Sequence, residues 1–245
     1  MATFVLIHGA YDSAWYWHLL EPELRERGHD VVAMDLPCED DSAGLSEYAD
    51  AVVDAIGDRR DLVLVAQSFG GFTAPLVCDR VPVDLMVLVA GMIPLPGEKP
   101  GDYFTNTRYE SAFTPTDDAG EEGGGHAGTI AIFLHDVPPD LAQEALKMTR
   151  GQSETPDKEP WPLQAWPDVP TKFLLCRDDR LFPPEWLQGV VRERLGITPD
   201  EIDGSHAVAL SRPKALADRL EGYVTERSPP MRNTKPAMHA PGYQA

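Results

Sequence analysis

The sequence predicts an α/β fold in which a doubly wound, mostly parallel β-sheet carries one inserted segment. Three observations predict this class. Short apolar runs alternate with helical patterns along most of the chain, as expected when helices connect parallel strands. The runs are continuously apolar, as in "TFVLI" at residues 3–7, which is typical of strands covered on both faces. The alternation breaks between residues 92 and 167, where Pro and Gly are frequent.

Each element is predicted from a local pattern. Strands are predicted at residues 3–9, 29–37, 61–67, 85–91, 171–177 and 201–206, and helices at residues 14–28, 45–58, 69–80, 184–196 and 212–227. Gly28 provides a helix stop, and Ser46 is a candidate N-cap for the second helix. We therefore expect a core formed by residues 1–91 and 168–228.

Residues 92–167 are interpreted as a lid inserted between two strands of the sheet. Their convincing helical pattern lies at residues 138–150, and their polar tip is "DDAGEEGGGHAG" at 117–128. We interpret the acidic residues and His126 of this tip as a solvated loop and not as metal ligands. Residues 229–245 show no apolar period, so a disordered tail is predicted.

Composition narrows the range of partners and compartments. The formal charge of −19 disfavours nucleic acid and anionic membranes, because a polyanion would be repelled. Cys38, Cys78 and Cys176 are widely spaced, as in a reduced cytoplasmic protein without a disulfide framework or zinc site. The first residues already form a strand pattern, so we expect no signal peptide or membrane span. The sequence leaves a homodimer open.

The stretch "DLVLVAQSFGGF" at residues 61–72 contains the candidate nucleophile. A buried strand ends directly at Ser68, and Gly70 and Gly71 follow. "AQSFG" is the G-x-S-x-G elbow pattern with Ala66 in the first position, and such an elbow needs small neighbours so that strand and helix can pack closely. Taken alone, the pentapeptide fits an ordinary turn serine equally well.

A nucleophilic serine needs a base and a group that orients the base. His206 lies in the loop between the last predicted strand and the last helix, where it can reach back over Ser68. "CRDDRLFPP" follows directly on a buried strand and offers Asp179, which we favour as the acid, and Asp178 as the alternative. Asp203 is too close to His206 in sequence. The order Ser, Asp, His is that of the hydrolase elbow type.

The oxyanion hole requires two backbone N–H donors. We assign one to Phe69, the residue after the nucleophile, and the other to Ala10 in the loop after the first strand. Gly9 lets that loop approach closely and is a candidate substrate-binding residue. His8 is interpreted as a support for this loop and not as a second base.

Four motifs together resemble the α/β-hydrolase superfamily: "FVLIHGAYDSAWYW", "LVLVAQSFGG", "DDRLFPPEW" and "GSHAVALSRP". The similarity covers about residues 3–227 except for much of the lid. It is greatest to the small cofactor-free esterases that include plant methylesterases and hydroxynitrile lyases. The resemblance implies the roles given above for Ser68, Asp179, His206, Ala10 and Phe69, with no cofactor and no metal.

The chain departs from this branch at several positions. Hydroxynitrile lyases carry a threonine where this chain has Gly9, and a lysine after the catalytic histidine where this chain has Ala207. Ala66 and Gln67 replace the more usual Gly and His of the elbow.

We therefore predict a carboxylesterase acting on a small, largely apolar ester, thioester or lactone. The alternatives are a lyase acting on a carbonyl adduct, which the missing lysine disfavours, and a non-catalytic receptor for a small ligand. Aromatic residues of the insertion are candidates for the pocket lining, and we select Trp161 and Trp166 among them. The set is Tyr103, Phe104, Phe113, Phe133, Trp161 and Trp166.

Overall fold

The computed structural model describes residues 1–112 and 125–227. Their strands form one six-stranded sheet in the order β2-β1-β3-β4-β5-β6, and every neighbouring pair is parallel. The strands are β1 (Thr3–Ile7), β2 (Asp30–Ala33), β3 (Leu62–Gln67), β4 (Leu85–Val89), β5 (Thr171–Cys176) and β6 (Asp200–Ile202). The predicted fold class is confirmed.

The centre of the sheet is fully covered. All residues of β1, β3 and β4 are buried, which is why their sequences are apolar without alternation. The registers pair Ile7 with Ala66 and Ala66 with Leu88. The carboxyl ends of these strands are therefore level, and the loops that follow them meet at one edge of the sheet.

Helices cover both faces of the sheet. The chain runs from β1 outward to β2 and then returns to β3 on the other side of β1, so right-handed crossovers place α1 and α2 on opposite faces. α1 packs against α10, and α2 packs against α3. The helices are α1 (Leu20–Glu26), α2 (Leu45–Ile56), α3 (Gly70–Cys78), α4 (Tyr103–Asn106), α5 (His126–Phe133), α6 (Pro139–Met148), α7 (Thr155–Lys158), α8 (Pro184–Leu195), α9 (Val208–Ser211) and α10 (Pro213–Arg227).

Among the differences from the predicted helices, two concern how a helix begins. The helix predicted at residues 14–28 is a 3-10 helix at Ala14–Trp17 followed by α1. The backbone N–H of His18 donates to the Trp15 carbonyl oxygen, and this i to i+3 hydrogen bond is the one that defines a 3-10 turn. The predicted N-cap Ser46 is wrong: Ser46 lies inside the first turn of α2, and Gly44 caps it, donating its N–H to the Glu47 carboxylate (2.8 Å).

The insertion between β4 and β5 contains more helix than predicted. α4, α5 and α7 are short and accompany the predicted α6. A buried ion pair attaches the start of this segment to α8: the Arg194 guanidinium donates two hydrogen bonds to the Glu98 carboxylate, and both side chains are less than 5% exposed.

Several predictions lie outside the described residues. Phe113, most of the polar tip and the tail at 229–245 belong to this group. The exact limits of the predicted lid and tail therefore stay predictions. No helix among residues 1–112 and 125–227 is long and apolar enough to cross a bilayer.

Candidate active site

Ser68 lies on a sharp turn between β3 and α3. Its φ of +51° is in the left-handed region, which a non-glycine residue adopts only under constraint. The next turn packs closely against other elements. A Cβ on Gly70 would lie 2.9 Å from the His8 carbonyl oxygen, and one on Gly71 would lie 2.0 Å from the Met92 carbonyl oxygen. These contacts explain the two glycines and define a nucleophile elbow.

Gly9 brings the loop after β1 against the elbow. A Cβ at Gly9 would lie 3.0 Å from the Ser68 Cβ and 2.4 Å from Gln67 Oε1. The Ala10 and Phe69 backbone N–H groups donate no hydrogen bond to any described residue. Two free donors thus lie on the two segments that meet beside the serine.

Asp179 and His206 form a buried pair. The His206 Nδ1 and Asp179 Oδ2 atoms are 2.7 Å apart, and the two side chains are 5% and 0% exposed. Asp179 Oδ1 accepts the backbone N–H groups of Leu181 and Phe182, both at 2.9 Å. The carboxylate is held by three hydrogen bonds, and it fixes the imidazole with Nε2 free for chemistry.

The other two candidate acids are engaged elsewhere. Asp178 is exposed, and its Oδ2 accepts the Gly204 N–H at 3.0 Å. This hydrogen bond holds the outer, solvent-facing side of the loop that carries His206. Asp203 forms an ion pair with Arg177 at 2.6 Å. The structure therefore places Asp179, not its neighbour, against the imidazole.

Two buried side chains hold the His206 backbone, and sequence reasoning did not identify this role for either. Gln67 Nε2 and the Tyr16 hydroxyl each donate to the His206 carbonyl oxygen at 3.3 Å. Burial raises the pKa of Tyr16 well above its usual value, so its hydroxyl stays a donor. The only signal in the sequence was the unusual Gln67 directly before the nucleophile.

His8 supports the loop after β1, as predicted. Its Nδ1 lies 2.8 Å from the Gly9 carbonyl oxygen, and its Nε2 accepts the Leu36 N–H at 3.0 Å. Burial lowers the pKa of His8. The neutral ring with its proton on Nδ1 satisfies both contacts, so His8 has no nitrogen left for catalysis.

Ser68 lines a cavity of about 440 Å³. Phe182 lines the same cavity and packs edge-on against the His206 ring, with 4.9 Å between centroids. Other lining residues come from the inserted segment: Pro100, Gly101, Phe104, Phe133, Gln152 and Asp157. Within the described residues the Ser68 hydroxyl makes no hydrogen bond.

Trp161 and Trp166, the predicted lining residues, lie outside the Ser68 cavity. Trp161 is 1% exposed and donates its indole N–H to the Phe72 carbonyl oxygen. Trp166 stacks on Trp161 and donates to Thr171. Neither lines the Ser68 cavity, because both indoles fasten the insertion to the core. Of the aromatic residues predicted as pocket lining, Phe104 and Phe133 do line this cavity.

Asp12 is a second acidic residue near the imidazole that sequence reasoning missed. It follows the Ala10 loop and lines a neighbouring cavity of about 410 Å³. Burial raises its pKa to about 7, although the Ser13 N–H and His206 act in the opposite direction. Its position after β1, at the carboxyl edge of the sheet, is the signal that could have found it.

The residues described here contain no group of three or more His, Cys, Asp or Glu side chains arranged to hold a metal ion.

A strained serine elbow, a buried acid–imidazole pair and free N–H groups at the carboxyl edge of a parallel sheet are the features expected of a serine-hydrolase site. A model of the alpha/beta hydrolase family matches residues 4–219. The chain belongs to this family.

Individual relatives agree with this assignment. Methylesterase 2 of Arabidopsis thaliana is 25% identical, over 89% of this chain and 94% of its own length. Alpha-hydroxynitrile lyase of the same plant is 26% identical, over 91% and 97%. The crystal structure of polyneuridine aldehyde esterase superposes with a TM-score of 0.77 at 21% identity, covering 91% of this chain and 99% of that one. These similarities confirm the predicted family and its branch of small esterases.

Proposed function

We propose that this esterase hydrolyses small, largely apolar carboxylic esters through an acyl-enzyme formed on Ser68, and that thioesters and lactones belong to the same substrate range. The observation that carries the proposal is the fully buried Asp179–His206 hydrogen bond beside the cavity that holds Ser68. Such a pair serves to keep an imidazole in the tautomer that accepts a proton at Nε2.

The steps follow from these positions. His206 Nε2 takes the Ser68 hydroxyl proton while the oxygen attacks the ester carbonyl carbon, and the N–H groups of Ala10 and Phe69 stabilise the oxyanion. His206 then protonates the leaving alkoxide. A water molecule, activated by the same imidazole, hydrolyses the acyl-enzyme. We expect the Ser68 hydroxyl and His206 Nε2 to form their hydrogen bond when substrate binds, because catalytic hydrogen bonds often tighten only in the Michaelis complex.

The cavity lining supports the apolar character of the substrate. Aromatic and aliphatic side chains provide most of it, and the described residues that line it include no Lys or Arg. Ala207 is 4% exposed and has no charge. A cyanide ion leaving a cyanohydrin would find no cation here, so hydrolysis is favoured over lyase chemistry. We expect the insertion to act as the lid of this cavity.

A fluorophosphonate probe tests the proposal. We expect stoichiometric labelling at Ser68, and loss of both labelling and p-nitrophenyl acetate turnover in Ser68→Ala. Ser42→Ala, which changes an exposed serine, is the matched control and should keep both. Unchanged turnover in Ser68→Ala would overturn the proposal and favour a ligand receptor with incidental reactivity.

A further inference from the structure

The Ser68 cavity has a neighbour that no step of the proposed reaction uses. Both cavities are lined by Ala10, Tyr11 and Phe133. The second cavity is otherwise lined by Asp12, Thr129, Leu134, Ala145, Leu146 and Thr149. Ala10, the proposed oxyanion donor, thus borders two spaces of about 440 and 410 Å³. An ester whose carbonyl binds at Ala10 has the second cavity within reach of one of its two substituents.

Asp12 is the only residue with a formal charge among the described residues that line the second cavity. One of its oxygens, Oδ1, accepts the Ser13 N–H at 3.0 Å. Across the described ranges, Oδ2 has no hydrogen bond and the carboxylate has no ion pair. A half-buried carboxylate beside aliphatic side chains without a counter-ion is poorly stabilised.

Charged groups near this loop do not supply that counter-ion. Arg150 donates its backbone N–H to the Tyr11 carbonyl oxygen, but its guanidinium binds the Leu36 carbonyl oxygen and Glu39. His206 interacts electrostatically with Asp12, and its Nδ1 is held by Asp179. Asp157, on the wall of the Ser68 cavity, is a further acid. The described walls of both cavities therefore contain carboxyl groups and no basic side chain.

From this arrangement we infer that the preferred substrates are esters carrying an ammonium group, which binds Asp12 in the second cavity. This inference rests on the proposed esterase function and narrows its substrate class: the ester stays largely apolar, and its one charge is the ammonium group at Asp12. The ammonium group would supply the missing counter-ion, and its alkyl substituents would contact Leu134, Ala145 and Leu146. The formal charge of −19 would attract such a cation and repel anionic esters.

The raised pKa of Asp12, about 7, adds a pH signature. Below pH 7 the carboxyl is largely protonated and attracts a cation weakly. Above pH 7 it is ionised. The preference for a cationic ester over a neutral one should therefore increase as the pH rises through 7.

Acetylcholine and 3,3-dimethylbutyl acetate form a matched probe pair, because they have the same shape and differ in one permanent positive charge. Acid release is followed in a pH-stat, and kcat/KM is compared as a ratio within each variant. We expect the wild-type protein to favour the cationic ester on the order of 10-fold at pH 8. The ratio should fall toward 1 at pH 5.5.

Asp12→Asn should bring the ratio to about 1 at both pH values. Asp54→Asn, which removes one exposed charge from α2, should keep the wild-type ratio. A ratio near 1 in the wild-type protein at pH 8, with Ser68-dependent turnover of the neutral ester, would overturn this inference and leave the esterase proposal standing. Absence of Ser68-dependent turnover of either ester, and of p-nitrophenyl acetate, would overturn both. If Asp12→Asn fails to fold, the inference is tested by the wild-type protein alone: a ratio that does not change between pH 8 and pH 5.5 overturns it.

Discussion

Asp179→Asn gives the sharpest test of the site, because the structure determines how the new amide must lie. Asp179 Oδ1 accepts the N–H groups of Leu181 and Phe182, while Oδ2 faces His206 Nδ1. Only the amide oxygen can accept the two backbone N–H groups, so the NH₂ group must face the imidazole. His206 Nδ1 then has to accept a hydrogen bond, and the ring proton moves to Nε2.

An imidazole protonated at Nε2 cannot take the Ser68 proton. The same tautomer error in a Ser–His–Asp protease lowers kcat by about 10⁴, which corresponds to about 5–6 kcal/mol of transition-state free energy. We expect a loss of this size in p-nitrophenyl acetate turnover. The two backbone hydrogen bonds remain, so the circular dichroism melting curve should change little.

Asp178→Asn is the matched control for this test. Asp178 is exposed, and its carboxylate accepts one hydrogen bond, from the Gly204 N–H; an asparagine oxygen can accept the same bond. We expect kcat within about threefold of wild type, as for most exposed substitutions. An Asp179→Asn variant that keeps more than a tenth of wild-type kcat, or an equal loss at Asp178, would refute the reasoning.

Three further substitutions probe the surroundings. Gly9→Ala places a methyl group 2.4 Å from Gln67 Oε1, so we expect the folded protein to be destabilised by about 1–3 kcal/mol and kcat to be lower. An unchanged denaturation midpoint would contradict this contact. Gln67→Ala removes a donor to the His206 carbonyl and should lower kcat on the order of 10-fold, with little change in KM; equal kcat values would show that Tyr16 suffices. Because the pKa of His8 is lowered in the folded protein, the unfolded chain binds more protons, and the free energy of unfolding should fall as the pH drops below about 6.5. This pH dependence should be weaker in His8→Gln; urea midpoints of the two proteins that change in parallel from pH 7 to 5 would argue against it.

The parts of the fold that depend on short stretches of sequence could be predicted. β1, β3 and β4 are covered on both faces, so they are apolar throughout and easily recognised in the sequence. β6 is short, polar and partly exposed, and only its place between two predicted helices indicates it. The elbow at Ser68 could be located for a similar reason, since Gly70 and Gly71 are required by backbone contacts within a few residues of the strand end.

The pocket walls could not be predicted, because they depend on contacts between distant segments. An indole can line a cavity or anchor a segment, and the choice for Trp161 depends on a hydrogen bond to the Phe72 carbonyl oxygen, 89 residues earlier. The choice between Asp178 and Asp179 had the same character. Both follow β5, and only the position of the His206 loop distinguishes them. Tertiary packing determines which of these roles each residue has, and it produces no pattern in the sequence near that residue.

Asp12 is a second acid whose position at the end of a strand can be read from the sequence. Asp179 follows the carboxyl end of β5, and Asp12 follows β1 at the same edge of the sheet. The two carboxyl groups lie near one imidazole in different environments. Asp179 is satisfied by three hydrogen bonds, whereas Asp12 accepts one hydrogen bond and has a pKa raised to about 7 by burial. Enzymes that place two carboxyl groups at one site commonly give them separate tasks through such differences. Since Asp179 already orients His206, a second acid that contributed only to orientation would be redundant. The open side of Asp12 toward a cavity is better explained by recognition of the substrate than by assistance to the imidazole.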